Sequence, residues 1–133
     1  MAASRLCPDS HSVIDYLRQR SNVLERTLSQ YDCALTAVTV CELEIGFARS
    51  PQQSALSKEL IDIVTVLPLH REAARAAARV YSQLRAQGLP IGVQDHTLVA
   101  GTCIAHGIPL LTRHTEHLKR VDGLSSIASV QLL

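Results

Sequence analysis

Residues 63–88, IVTVLPLHREAARAAARVYSQLRAQG, contain both of the patterns that decide the fold class. The first part, Ile63 to Leu69, is a short apolar run, as expected of a parallel strand that is buried on both faces. The second part, Arg71 to Gln87, has the periodicity of an amphipathic helix, and Gly88 is suited to end that helix. The buried face of the helix is expected to contain Ala73, Ala77, Val80 and Leu84.

The same two patterns alternate along the rest of the chain. Apolar runs predict further strands over Ala34–Val40, Pro109–Thr112 and Ile127–Leu132, and Ser4–Cys7 is a shorter, weaker run of this kind. Helical spacing predicts helices over Val13–Gln19, Val23–Gln30, Glu42–Arg49, Gln53–Asp62 and Gln94–His106. This alternation is typical of an α/β domain, in which helices flank a central parallel β-sheet. Because the chain has 133 residues, we expect a single domain over residues 1–133, about 150 residues being usual for one domain.

The composition excludes several classes of protein. The chain is 47% hydrophobic and has a net charge of +1, from 13 Lys and Arg against 12 Asp and Glu, which excludes a disordered chain. The balanced charge also argues against a broad basic surface for nucleic acid, and 3% aromatic residues argue against a base-stacking platform. No apolar stretch is long enough to span a membrane. The four cysteines form no Cys-x-x-Cys pair, so we expect free thiols in a reducing cytoplasm. Residues Met1–Asp9 lack the apolar core that is typical of a signal peptide, so we expect no export signal.

Three acidic residues follow predicted strands or begin predicted helices. Asp9 follows Ser4–Cys7, Glu42 follows Ala34–Val40, and Asp95 lies at the start of the helix Gln94–His106. In a parallel sheet the carboxyl ends of the strands meet at one edge, where ligands bind. Three carboxylates gathered there repel each other unless a cation lies between them, and such oxygen ligands suit Mg²⁺, with Mn²⁺ as the other possibility. The pattern therefore predicts a divalent-metal site.

Helix capping is the alternative interpretation of the same three residues. Asp is a favoured N-cap, and an acid in the first turn is stabilised by the helix dipole. Thr39-Val-Cys-Glu42 has the spacing of a capping box, in which Glu42 would reach back to the backbone of Thr39. The residues alone leave both interpretations open.

Four segments, in order, resemble the motifs of the PIN-domain ribonucleases. Asp9–Leu17 is similar to the opening Asp-Thr/Ser-Asn/Ser motif, and Thr39–Gly46 to the second motif, with its Glu and its Gly four residues later. Gly88–Ala100 is similar to the third motif, Gly-x-x-Ile-Gly-x-x-Asp, and Leu110–Leu118 to the fourth, Thr-Arg-Asn/Asp-x-x-His-Phe. Within the family, the length best resembles that of the VapC-type toxins of toxin–antitoxin pairs.

The resemblance implies a metal-dependent endoribonuclease that cleaves single-stranded RNA and acts as a toxin. It also implies a PIN-like fold, a cognate antitoxin that blocks the site, and a homodimer. The residues at the family's acidic positions, which would hold the metal and serve catalysis, are Asp9, Glu42 and Asp95. His114 is expected to be catalytic as well, and the expected substrate-binding residues are Ser10, Thr112 and Arg113.

Two histidines depart from the family pattern. His114 stands where the family has Asp or Asn, and His11 stands where it has Asn or Ser. An imidazole there could bind Mn²⁺ or Zn²⁺, or could give a proton to the leaving oxygen. The departures motivate an alternative function: a degenerate PIN domain that binds RNA or an antitoxin-like partner without cleavage. A receiver-like phosphoacceptor domain is a third possibility, but the acidic pair that it needs is absent near Asp9.

Two further patterns concern the surface. Arg71, Arg75 and Arg79 recur every four residues, which indicates an exposed helix face, with RNA contact as the alternative. Some of the apolar residues around the predicted turn Ser50-Pro51 are expected to be core, and an apolar surplus there would form a partner surface. They are Phe47, Leu56, Leu60 and Ile61.

Overall fold

The computed structural model describes residues 5–18, 29–88, 94–112, 118, 121, 123, 124 and 126–128, the side chains of 94, 95 and 126–128 excepted. Within these residues the strands are β1 (Arg5–Pro8), β2 (Asp32–Thr36), β3 (Thr65–Leu67), β4 (Leu110–Thr112) and β5 (Ser126–Ala128). The helices are α1 (Ser10–Leu17), α2 (Ala37–Phe47), α3 (Pro51–Ile63), α4 (Arg71–Ala86) and α5 (Gln94–His106). Most of the predicted helix Val23–Gln30 and the end of the predicted strand Ile127–Leu132 lie outside the described residues.

The five strands form one parallel sheet in the order β3-β2-β1-β4-β5. The central strand β1 pairs with β2, where Leu6 lies opposite Cys33, and with β4, where Pro8 lies opposite Leu111. Pro8 costs no bond to β4, because the donors to that strand are the backbone N–H groups of Cys7 and Asp9 on either side of it. The predicted α/β fold with a central parallel sheet is therefore confirmed.

The predicted strand Ala34–Val40 is wrong at its carboxyl end. β2 ends at Thr36, and α2 begins at Ala37, although the β-branched residues of this segment favour a strand. The cause is a helix cap: the Thr36 side chain accepts a hydrogen bond from the backbone N–H of Thr39 at 3.0 Å. The Thr39–Glu42 capping box is wrong for the same reason, since Thr39 already lies inside the helix.

The strand predicted over Ile63–Leu69 is also shorter than expected, and it is not buried on both faces. β3 covers Thr65–Leu67 at the edge of the sheet, where it pairs only with β2. Thr65 and Val66 are exposed, and Leu67 is the buried residue of the strand. An apolar run indicates a strand, but it does not distinguish a central strand from an edge strand.

The core has one layer on each face of the sheet. On one face α4 and α5 pack together and cover a buried cluster that includes Val80, Leu84, Val99 and Cys103. On the other face α1, α2 and α3 cover a cluster that includes Val13, Leu35, Leu43, Phe47 and Leu60. The predicted buried face of α4 is confirmed, and the predicted bounds of α5 agree with those observed.

The described cysteines are free thiols, as expected from their scattered positions. Cys7, Cys33 and Cys103 are buried, and Cys41 is exposed. Burial raises the pKa of Cys33 to about 11, and a hydrogen bond with Cys103, together with burial, raises the pKa of Cys7 well above its usual value. The raised pKa makes Cys7 and Cys33 poor nucleophiles. All three buried cysteines pack as small core side chains. Among the described residues, no helix is long and apolar enough to cross a membrane.

Helices α4 and α5 are antiparallel and approach closely at a glycine. The rings of His70 and His106 stack with centroids 4.7 Å apart at one end of the pair. In the middle, a Cβ added to Gly101 would lie 2.7 Å from the Cβ of Ala77 and closer still to its backbone. Only glycine fits at this crossing, because real Cβ atoms essentially never approach other atoms so closely.

We predict that Gly101→Ala lowers the free energy of unfolding by about 1–3 kcal/mol, because the added methyl group must push α4 and α5 apart. Gly46→Ala is the matched control, since Gly46 lies inside α2 and a Cβ there would meet nothing within 4 Å. That substitution is expected to stabilise the protein by about 0.5–1 kcal/mol through helix propensity. Urea denaturation measures both. A Gly101→Ala variant as stable as the wild type would contradict the close packing.

Candidate active site

Asp9 joins the central strand to the first helix. Its backbone N–H donates to the carbonyl of Leu111 on β4 at 2.9 Å, which fixes the residue at the carboxyl edge of the sheet. Its Oδ1 accepts a hydrogen bond from the backbone N–H of Ser12 at 2.9 Å and so caps α1. The capping interpretation is therefore correct for Asp9, and it explains why α1 begins at Ser10 rather than near Val13.

The second carboxylate oxygen of Asp9 has a different environment. Asp9 is 5% exposed, and among the described residues its Oδ2 is buried without a hydrogen-bond partner. A buried carboxylate oxygen of this kind is costly unless a cation or another donor lies beside it. The cap thus uses one oxygen and leaves the other for a ligand.

Glu42 faces Asp9 from the neighbouring strand–helix unit. It lies in the second turn of α2, not at the start of the helix as predicted, because α2 begins five residues earlier, at Ala37. Its side chain is half-buried, and the hydroxyl of Ser10 donates a hydrogen bond to its Oε2 at 3.3 Å. Ser10 therefore links the start of α1 to the carboxylate on α2.

One narrow cleft, with an accessible volume of about 10 Å³, is lined by four of the residues that the sequence indicated: Asp9, Ser10, Glu42 and Thr112. The expected meeting of these residues at the carboxyl edge of the sheet agrees with the parallel strand order. Asp95 is the second residue of α5, a helix that lines the same cleft through Val99. The side chain of Asp95 lies outside the described part of the structure, and so do Arg113 and His114.

A third ligand is needed before the carboxylates can be called a metal centre. Within the described side chains, no three His, Cys, Asp or Glu residues are grouped so that they could hold a metal ion. Asp9 and Glu42 supply two acidic groups in one cleft, and the side chain of the predicted third, Asp95, lies outside the described residues. The donors present are hard oxygen atoms, the type that Mg²⁺ and Mn²⁺ take.

The structure adds cleft residues that were not predicted from the sequence: His96, Val99, Leu110 and Leu118. The rings of His96 and His11 meet edge to face, with centroids 6.4 Å apart. Helical spacing is the signal that could have identified the first two, because His96 and Val99 are three residues apart on α5 and so share a face. The apolar residues form a wall that lowers the local dielectric, which strengthens the electrostatic effect of the carboxylates.

Comparison with known proteins agrees with this geometry. A family model described as PIN domain matches residues 6–124. The chain is 32% identical over 113 residues to Ribonuclease VapC1 of Rickettsia felis, with 80% of this chain and 84% of that protein covered. It is 30% identical over 108 residues to the tRNA(fMet)-specific endonuclease VapC of Shigella flexneri, with 78% and 81% covered.

Solved structures share the fold at lower sequence identity. The crystal structure of DNA-bound VapBC from Salmonella typhimurium matches with a TM-score of 0.83 at 18% identity, covering 95% of this chain and 98% of that one. FitAcB from Neisseria gonorrhoeae matches with a TM-score of 0.78 at 23% identity, covering 96% and 99%. The fold, the order of the motifs and these relatives together show that the chain belongs to the PIN-domain family, among its VapC-type ribonucleases.

Proposed function

We propose that this protein is a metal-dependent endoribonuclease that cleaves single-stranded RNA and acts as the toxin of a toxin–antitoxin pair. The observation that carries the proposal is the cleft lined by Asp9, Ser10 and Glu42, together with the buried, unpartnered Oδ2 of Asp9. The relatives named as ribonucleases and endonucleases support the class of reaction. The buried and free thiols are consistent with a cytoplasmic site of action.

The donor set fits a divalent cation. Asp9 and Glu42 would bind it through carboxylate oxygens, and Asp95, from the start of α5, would complete the acidic group. A bound Mg²⁺ or Mn²⁺ supplies positive charge for the phosphodiester and a water of lowered pKa. The unpartnered Oδ2 of Asp9 supports this fit, because a cation would compensate a buried oxygen that no described residue compensates.

The other residues of the cleft have separate roles in the proposal. The Ser10 hydroxyl holds Glu42 through its hydrogen bond to Oε2, and Thr112 offers a second hydroxyl at the end of β4. Arg113 follows Thr112 in the chain and would bind a phosphate oxygen as a positioning contact. His114 is proposed to give a proton to the leaving oxygen, in place of the acid that the family usually has at that position.

We predict that Glu42→Gln lowers the rate of RNA cleavage in Mn²⁺ or Mg²⁺ by about 100-fold or more, because it removes an anionic ligand and keeps the side chain's shape. Asp95→Asn is expected to have a similar effect. Glu44→Gln is the matched control, because Glu44 lies on the same helix and is exposed. The Glu44→Gln variant should cleave RNA at the wild-type rate. The assay uses labelled single-stranded RNA with and without chelator.

Two outcomes of this assay contradict the proposal. Cleavage that persists in chelator would show that the reaction does not depend on a metal. Cleavage that survives both Glu42→Gln and Asp95→Asn would show that the active site is not the proposed cleft. RNA binding without any metal-dependent cleavage by the wild type would favour the degenerate PIN domain instead.

The antitoxin is proposed to bind an apolar groove between α1 and α3. The groove has a volume of about 510 Å³ and is lined by Tyr16, Leu17, Leu56, Glu59, Leu60, Asp62 and Ile63. Leu56 is 47% and Ile63 79% exposed, although side chains of this kind are normally buried. The two acidic groups beside them favour an antitoxin segment that carries apolar residues flanked by Lys or Arg. This agrees with the partner surface expected around Ser50-Pro51, of which Leu56 and Leu60 line the groove.

We also propose that the toxin forms a homodimer.

We predict that Ile63→Lys weakens binding of the cognate antitoxin by at least about tenfold, because a charged side chain replaces an apolar contact in the groove. Ile45→Lys is the control, since Ile45 is 73% exposed on α2 and does not line the groove. Isothermal titration calorimetry of toxin with antitoxin measures both affinities. Equal affinities for Ile63→Lys and Ile45→Lys would show that the antitoxin binds elsewhere.

A further inference from the structure

Helix α4 has a net positive charge, although the rest of the chain has a net negative one. Its sixteen residues contain four arginines and one glutamate, a net charge of +3, whereas the whole chain has a net charge of +1. The remainder of the chain is therefore acidic, with a net charge of −2. The near-neutral total therefore conceals a separation of charge, because four of the thirteen Lys and Arg residues and only one of the twelve Asp and Glu residues lie on this helix.

Three of these arginines lie on the exposed side of α4, and we call Arg71, Arg75 and Arg79 the arginine row. The opposite side of the helix is the buried face that contains Ala73, Ala77 and Val80. Positions four residues apart are about 6 Å apart along the axis, so the row is about 12 Å long. That length corresponds to about four nucleotides at the 3.4 Å rise of one nucleic-acid strand.

The row is not neutralised within the described part of the protein. None of its arginines forms an ion pair there, and the acidic residue of the helix, Glu72, lies 3.6 Å from His70 instead. Like charges four residues apart on a helix repel each other by about 0.2–0.5 kcal/mol per pair. The row contains two such pairs, a cost that a bound polyanion would remove.

The position of the row relates it to the cleft. Ala77 lies against Gly101 in the antiparallel pair of α4 and α5. Because the helices are antiparallel, the residue two positions after Ala77 lies level with the residue two positions before Gly101. Arg79 is therefore level with Val99, which lines the cleft. From that level the row continues toward His70 and His106 at the far end of the pair. The cations therefore begin level with the cleft and lead away from it.

We propose that the arginine row is a binding site for the RNA backbone outside the cleft, which holds the part of the substrate that extends beyond the cleaved phosphodiester. The inference rests on the proposed ribonuclease function. Guanidinium groups bind phosphate oxygens through paired hydrogen bonds, and such contacts position RNA without reading its sequence. A row of one sign at a regular 6 Å step suits a polymer with a regularly repeated charge better than it suits an irregular acidic protein surface.

The test compares two double variants that remove the same charge. Arg75→Gln/Arg79→Gln removes two cations from the row, and Arg49→Gln/Lys58→Gln removes two exposed cations from other parts of the chain. Binding of a fluorescent single-stranded RNA of about 20 nucleotides is measured by anisotropy in chelator, so that no cleavage occurs, over a series of salt concentrations. An RNA of about four nucleotides is measured in parallel.

We predict that the row variant binds the longer RNA about tenfold more weakly than the wild type, as expected for the loss of two exposed ion pairs. Its plot of log affinity against log salt concentration should be shallower by about 1.4, which is about 0.7 for each lost phosphate contact on a single strand. The control variant should match the wild type in the slope, and the shorter RNA should bind all three proteins alike.

Equal affinity and equal slope for the row variant and the control variant would overturn the proposal. Loss of binding to poly-glutamate with unchanged RNA binding would overturn it as well, and would assign the row to an acidic polypeptide. Thermal unfolding of both variants checks folding, and no loss of stability is expected because the row variant removes repulsion. Metal-dependent cleavage of the shorter RNA by the row variant tests the ribonuclease proposal separately. If the variant cleaves the shorter RNA and binds the longer RNA as the wild type does, the ribonuclease proposal stands and only the proposal for the arginine row is rejected.

Discussion

The carboxylate of Asp9 is held where the central strand passes into the first helix, and its two oxygens are in different surroundings. One oxygen caps α1, so rotation of the side chain would break that cap at a cost of about 0.5–2 kcal/mol. The backbone N–H of the same residue bonds to β4, so it cannot leave the edge of the sheet. The remaining oxygen is buried and unpartnered among the described residues, and its position is fixed by interactions that serve the fold. The fold thus determines the orientation of the group on which the proposed chemistry depends.

Around this carboxylate, the neighbouring elements contribute side chains by the same structural rule. In a parallel sheet each strand ends at the same edge, so the residues after β1, in α2 after β2, and at the end of β4 face one cleft. Glu42 reaches it from inside α2 rather than from the helix start, and the Ser10 hydroxyl connects the two acidic units. A net positive charge that would attract a polyanion lies elsewhere, on α4. A nearly neutral chain can therefore combine an acidic cleft with a basic helix face.

The sequence was informative where one physical signal dominated. Helical periodicity predicted the bounds of α5 and the buried face of α4, because an amphipathic pattern is decided by the residues of the helix itself. Capping was one of the two interpretations left open for Asp9, and the structure shows the cap; the motif order led to the family. The end of β2 was wrong because Val38 and Val40 favour a strand, whereas the Thr36 cap and the packing of α2 determine the observed helix. The burial of β3 was wrong because the position of a strand in the sheet depends on its neighbours. His96 was missed as a cleft residue for a similar reason, since its contact with His11 joins two distant segments.

The most direct measurement of the central claim is the stability of the wild type and of Asp9→Asn, with Mn²⁺ and in chelator. Asn is a good N-cap and keeps an oxygen for the Ser12 N–H, so in chelator the variant should be at least as stable as the wild type. Mn²⁺ at about 100 times its dissociation constant should stabilise the wild type by about 2.7 kcal/mol and leave Asp9→Asn unchanged. Equal stabilisation of both proteins by Mn²⁺, or of neither, would contradict the claim that the buried oxygen of Asp9 is a metal ligand.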